Sequence, residues 1–163
     1  VNIVTKTLFQ KYTTAGDFAN APLKQLEKEI HSTGFFRSKA KHIKNACTII
    51  QKEFSGNVPD SMDSLVQLPG VGRKTANVVL GSWFKKPTGV VVDTHVKRIS
   101  KKLGLTKNDH PEKIEKDLMK TLKKEDWIHF SHMIIWHGRK ICTARKPNCP
   151  ECPILSECPS SAL

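Results

Sequence analysis

Cys142, Cys149, Cys152 and Cys158 lie in one short tail with the spacing C-x6-C-x2-C-x5-C, a compact set of four thiolate ligands. Zinc accepts four thiolates, but structural zinc sites usually present two separated pairs of the CxxC kind, and this tail holds a single such pair. A [4Fe–4S] cluster needs four thiolates around a larger cube and tolerates uneven loops between them. The spacing therefore favours an iron–sulfur cluster. The loop between the first two cysteines contains Arg145 and Lys146, which read either as a basic finger projected from the cluster or as solubilising charge.

A second constellation is Leu68-Pro69-Gly70-Val71-Gly72-Arg73-Lys74-Thr75. A P-loop needs Gly directly before its Lys, where this chain has Arg73, and a Rossmann fingerprint needs a third Gly and a flanking parallel-sheet pattern. What remains is a tight connection between two helices. Its glycines allow positive φ and close approach of the backbone to a ligand, and the amides opening the second helix attract an anion. A DNA phosphate bound there would fix position without reading sequence; an ordinary glycine-capped helical hairpin is the alternative.

Lys74 falls in the first turn of that second helix. The positive end of the helix dipole and the neighbouring Arg73 disfavour an ammonium there, so the amine pKa is expected to be lowered. A nucleophilic lysine needs this, since only the neutral amine attacks carbon; the plainer reading is a solvated surface lysine. Asp93 ends the β-branched run 89–92 and precedes a helical pattern, which marks it as an N-cap. Facing Lys74, its carboxylate could also take a proton from an incoming nucleophile and stabilise positive charge developing on a sugar. His95 reads as a structural histidine.

The elements that must position these residues are helical almost throughout, which gives an all-α fold class. Helices are expected from Val1 to Tyr12, from Pro22 to a stop at Gly34, and after Ser38 as N-cap, with Ile43, Ala46, Cys47, Ile50 and Phe54 on one apolar stripe. Cys47 is thereby expected in the core. Two short helices, Ser61–Gln67 and about Gly72–Phe84, flank the glycine-rich turn, and residues 89–92 have no partner strand and read as an extended linker. Val96, Ile99 and Leu103 continue at helical spacing, Pro111 opens another helix, and a last long one runs from Glu125 to about Cys142.

Lys and Arg number 27 against 15 acidic residues, a formal net charge of +12, which points to a polyanionic partner, nucleic acid before an anionic membrane. No apolar run approaches the ~18 residues that span a bilayer. The chain shows no signal-peptide pattern, so an intracellular location is expected. It begins at Val1 inside what already reads as a helix, as a piece of a longer chain would.

Taken together, Leu68 to Leu80, Val92-Asp-Thr-His-Val96, His137-Gly-Arg139 and the cysteine tail with Ala144-Arg-Lys-Pro147 closely resemble the endonuclease III family of helix-hairpin-helix DNA glycosylases, in an order and at separations covering nearly the whole chain. The resemblance implies a helical-barrel domain over residues 1–90 and a [4Fe–4S] cluster domain over 91–163, with the active site in the cleft between them. It implies a monomeric enzyme that removes oxidised or damaged pyrimidines from duplex DNA and then cleaves the strand, there or at abasic sites, by β-elimination in the cytoplasm or nucleoid of a prokaryote. Lys74 takes the position of the Schiff-base lysine, Asp93 that of the essential aspartate, and the four tail cysteines those of the cluster ligands. Pro69, Gly70, Val71, Gly72, Arg73, Arg145 and Lys146 fall where the family meets DNA. Phe35 matches a residue that wedges into the base stack, although it could equally join Phe36 in the core. Relatives that excise adenine or mismatched thymine without lyase chemistry generally carry another residue in place of Lys74. A monofunctional glycosylase is therefore the rival enzyme, and a non-catalytic iron–sulfur DNA-binding module the rival outside enzymes. Family members begin a few tens of residues earlier, with a first helix packing on the cluster half and a second helping to fill the gap left by a flipped base.

Overall fold

The computed structural model describes residues 1–161, and every regular element among them is helical. The chain divides into two compact units at Arg73/Lys74. The reason is apolar burial. Val90 and Val92 are drawn into one core with Val96, Ile99, Ile114 and Leu118, so the segment ahead of Asp93 belongs with the helices that come after it.

The first unit contains α1 (Asn2–Lys11), α2 (Ala15–Asn20), α3 (Leu23–Glu29), α4 (Phe36–Glu53) and α5 (Met62–Gln67). Its core gathers Leu8, Tyr12, Ala21, Leu26, Ile30 and Ala40, with Phe18, Phe36 and Ile43 packed against them. A capping box opens α2: Thr14 Oγ1 accepts from Asp17 N at 3.1 Å and Asp17 Oδ2 accepts from Thr14 N at 2.8 Å. These bonds, the backbone amides of Thr14 and Thr13 first, hold the Asp17 carboxyl below its ordinary range. Lys44 Nζ reaches from α4 to the carbonyls of Ala19 and Ala21 at 2.6 and 2.8 Å, a cation on the carbonyl end of α2.

Two boundaries differ from the sequence expectation. Helix α3 ends at Glu29, and a turn in which Thr33 Oγ1 donates to Ile30 O at 2.8 Å carries the chain past Gly34. Helix α4 then starts at Phe36, with Phe35 ahead of it at φ 58°, so Ser38 lies inside the first turn and is not the cap. Packing of Phe36 on the core fixes that earlier start. Cys47 is half-buried, and that burial pushes its thiol pKa up.

The second unit contains α6, which runs from Arg73–Val78 into a π-helical turn Val79–Trp83, then α7 (Thr94–Lys102), α8 (Pro111–Thr121) and α9 (Trp127–Lys140). Pro111 occupies the first turn of α8, where its missing N–H has no intrahelical partner to lose. The residues between α6 and α7 form no helix and, as expected of 89–92, pair with no strand, and the chain is extended where it reaches Asp93.

Leu26 is fully buried. Leu26→Ala should lower unfolding stability by about 2–5 kcal/mol, read as a fall in the urea midpoint at unchanged slope.

Candidate active site and cluster centre

The glycine-rich turn is built from buried Leu68 outward. Ser61 caps α5 by accepting from Ser64 N at 3.2 Å, and Val71 N donates to Leu68 O at 3.0 Å to close the turn. Gly70 sits at φ +79°, and His42 of α4 packs 2.8–2.9 Å from where its Cβ would be, so neither the backbone conformation nor the space admits a side chain. Pro69 and Val71 are half-buried, whereas Gly70, Gly72 and Arg73 are exposed. The turn thus presents its backbone to solvent at the start of α6.

Lys74 comes next, exposed in the first turn of α6. Asp93 is the N-cap of α7, its Oδ1 accepting from His95 N and Val96 N at 2.8 Å each. The two side chains border one pocket of about 310 Å³, completed by Val92, Thr94, Lys97 and Pro111. The structure therefore brings together the two residues singled out for chemistry. His95 lies outside this pocket's lining and packs against Gly138 of α9. Sequence reasoning missed Lys97, Thr94 and Pro111 as pocket residues. Lys97 lies one helical turn beyond Asp93, a spacing that would have found it; Pro111 comes from a separate helix and has no local signal.

All four tail cysteines border a single cavity, together with His137 and the apolar side chains of Ile99, Leu103, Ile141 and Leu155. Each is half-buried and none forms a disulfide. Arg98 donates through Nη2 to Cys142 O at 2.7 Å and through Nη1 to Cys142 Sγ at 3.6 Å, and His137 Nε2 lies 3.9 Å from Cys152 Sγ. Burial, and then the Arg98 guanidinium, hold the His137 imidazole below its ordinary range. Four soft sulfur donors in a partly apolar cavity, with the Arg98 guanidinium donating to the Cys142 sulfur, fit the iron–sulfur group. Between Cys142 and Cys149 the chain doubles back, with Thr143 Oγ1 donating to Lys146 O at 2.5 Å and Asn148 N to Ile141 O at 2.9 Å. Arg145 and Lys146 are exposed on that loop.

Phe35 is 89% exposed, while Phe36 packs on the core. The alternative that placed Phe35 beside Phe36 in the interior is excluded. Its left-handed backbone turns the ring outward.

The pattern of the HhH-GPD superfamily of base excision DNA repair proteins matches residues 1–124, and that of the iron–sulfur binding domain of endonuclease III matches residues 142–158. Endonuclease III of Synechocystis sp. is 55% identical over 161 residues, 99% of this chain and 74% of that protein. Endonuclease III of Bacillus subtilis is 48% identical, covering 97% of this chain and 72% of that protein. Among solved structures, a trapped endonuclease III–DNA covalent intermediate in an estranged-adenine complex aligns at a TM-score of 0.92 and 46% identity, over 98% of this chain and 75% of that one. A thermostable thymine-DNA glycosylase, 22% identical with a TM-score of 0.82, shares the fold. Matched by these patterns at both ends, and by relatives and a solved structure over nearly its whole length, this chain belongs to the endonuclease III family of helix-hairpin-helix base-excision DNA glycosylases.

Proposed function

We propose that Lys74 is the Schiff-base nucleophile and Asp93 its partner carboxylate in a DNA glycosylase with AP lyase activity that acts on damaged pyrimidines in duplex DNA. The observation that carries this reading is the shared pocket, in which an exposed amine and a half-buried carboxylate face the same space.

The neutral Lys74 amine attacks C1′ of the damaged nucleotide, and the bond to the base breaks with its electron pair leaving on the base. Asp93 receives a proton from the amine and stabilises the positive charge that builds on the sugar. The sugar ring then opens, the C1′–O4′ bond breaking with its electron pair on O4′, which takes up a proton. The imine so formed between Lys74 and C1′ acidifies the 2′ proton, and loss of that proton expels the 3′ phosphate and cuts the strand. Cys142, Cys149, Cys152 and Cys158 hold the [4Fe–4S] cluster. Held there, the cluster would cross-link the tail and so present Arg145 and Lys146 to DNA phosphates. The turn Pro69–Gly72 with Arg73 grips a backbone phosphate through the amides of Gly70 and Gly72, and Phe35 fills the stack vacated by the extruded base. Bacterial relatives fit action on chromosomal DNA in a prokaryotic cytoplasm. No helix among the described residues is long and apolar enough to cross a membrane.

A monofunctional glycosylase has no use for an amine at position 74, and a binding module has no use for the pocket. Borohydride separates the three. Incubated with lesion-containing duplex and the hydride donor, the protein should form a covalent DNA adduct mapped by peptide mass to Lys74, and Lys74→Gln should lose adduct and nick while still binding the lesion. Strong trapping on another amine in Lys74→Gln would displace Lys74 as the nucleophile.

Asparagine caps helices as well as aspartate does, so Asp93→Asn keeps the two α7 amides satisfied and removes only the charge. Turnover should fall by about 100-fold or more at a nearly unchanged melting temperature; Asp93→Ala should in addition lose about 0.5–2 kcal/mol of stability. Lys146→Ala should reduce the salt slope of binding to undamaged duplex by about one unit. An unchanged slope would return that loop to mere solubilising charge.

A further inference from the structure

Glu115 and Asn77 are 4% and 3% exposed, two buried polar side chains outside the pocket lining and without a part in the proposed chemistry. Burying a carboxylate is costly, and apolar residues of similar volume usually serve packing as well or better. Their placement suggests another use. Asn77 lies on α6 three residues after Lys74, and Glu115 lies on α8 four residues after Pro111. Asn77 Nδ2 donates to Glu115 Oε1 at 2.9 Å, and Thr88 Oγ1 donates to Asn77 Oδ1 at 2.9 Å. Thr88 stands on the extended segment that ends at Asp93. Its neighbour Gly89 has no side chain because Glu115 Oε1 occupies the space a Cβ would take, with Asn77 Nδ2 only 3.0 Å from the same point.

We infer that Asn77, Glu115 and Thr88 form a polar clasp, buried at Asn77 and Glu115 and closed from the surface by exposed Thr88, that positions Lys74 against Asp93. The inference rests on the assignment of those two residues as the reacting pair. Each of the three pieces of chain the clasp joins carries part of the pocket: α6 brings Lys74, the extended segment brings Asp93, and α8 brings Pro111. The Asn77 amide is held at both ends, so a rotation of α6 about its axis breaks both bonds at once. Lys74, about one turn earlier on the same helix, rotates with it. A reacting group displaced by about 1 Å can lose two orders of magnitude in rate, which is the effect a positioning residue prevents.

The test measures single-turnover strand cleavage on duplex carrying a preformed abasic site, at saturating protein, beside the Kd for duplex with a reduced abasic site and the melting temperature. Thr88→Val removes one donor at nearly constant shape, Glu115→Leu removes the acceptor at similar volume, and Glu115→Gln keeps an acceptor for Asn77. Thr88→Val and Glu115→Leu should slow cleavage about tenfold or more with Kd within about twofold, while Glu115→Gln stays within about threefold of the unaltered protein. Cleavage within twofold of normal in Thr88→Val overturns the clasp, and decides the matter even where Glu115→Leu does not fold. So does a loss in Glu115→Gln as large as in Glu115→Leu, which would make the carboxylate's charge, and not its hydrogen bond, what matters. Failure of the unaltered protein to trap DNA at Lys74 would instead sink the catalytic assignment, and the clasp with it.

Discussion

An extended segment inside a helical protein has no neighbouring strand to receive its backbone groups, yet buried N–H and C=O groups must be paired. Residues 85–92 live under this constraint, with Val90 only 1% exposed. The segment meets it by borrowing from helices: Lys86 N donates to Leu80 O at 2.8 Å and Val91 N to Ser131 Oγ at 3.1 Å. The same Ser131 hydroxyl donates to Trp127 O at 3.0 Å, so one side chain anchors the segment to α9. With these bonds made, the valines can enter the core and the chain is delivered to the start of α7 at Asp93. The place of Asp93 on the pocket wall follows from this pinning.

Much of this could be read locally. The β-branched run followed by Asp and a helical pattern marked Asp93 as a cap, and the cap bonds are present. The glycine-rich turn and the two helices around it are local features too, decided by φ and capping within a few residues. What stayed hidden is what depends on contacts distant in sequence. Asn77 and Glu115 are 38 residues apart, and nothing near either predicts the bond. The division of the chain at Arg73/Lys74 depends on which core the valines enter, a choice made by helices that come later. Phe35 was ambiguous for a different reason: adjacent phenylalanines give a helical period no basis to choose between them, and a left-handed residue ahead of α4 settled which one turned outward.

The charge excess also has an internal arrangement. Several carboxylates are spent on structure: Asp17 on the α2 cap, Glu29 on Lys11, and Asp117 on Thr106 and Asn108 at 2.6 and 2.7 Å. Hydrogen bonds from those two side chains hold the Asp117 carboxyl below its ordinary range. The basic residues at the turn and on the cysteine loop, Lys74, Arg145 and Lys146, are exposed. These three carboxylates are thus engaged locally, while the positive charge at the turn and on the cysteine loop stays at the surface, where it raises the local concentration of a polyanion.

Asp93 closes two amides at the head of α7 and borders the pocket as well. With the role proposed for it, one carboxylate answers to two kinds of selection. On that reading the position tolerates aspartate alone, because the substitution that spares the helix removes the chemistry and most others harm both. A lineage adapting to heat could not strengthen this helix start by changing its cap. It would have to gain stability elsewhere, and positions such as the α2 cap or the first-unit core are where its thermal history should be written.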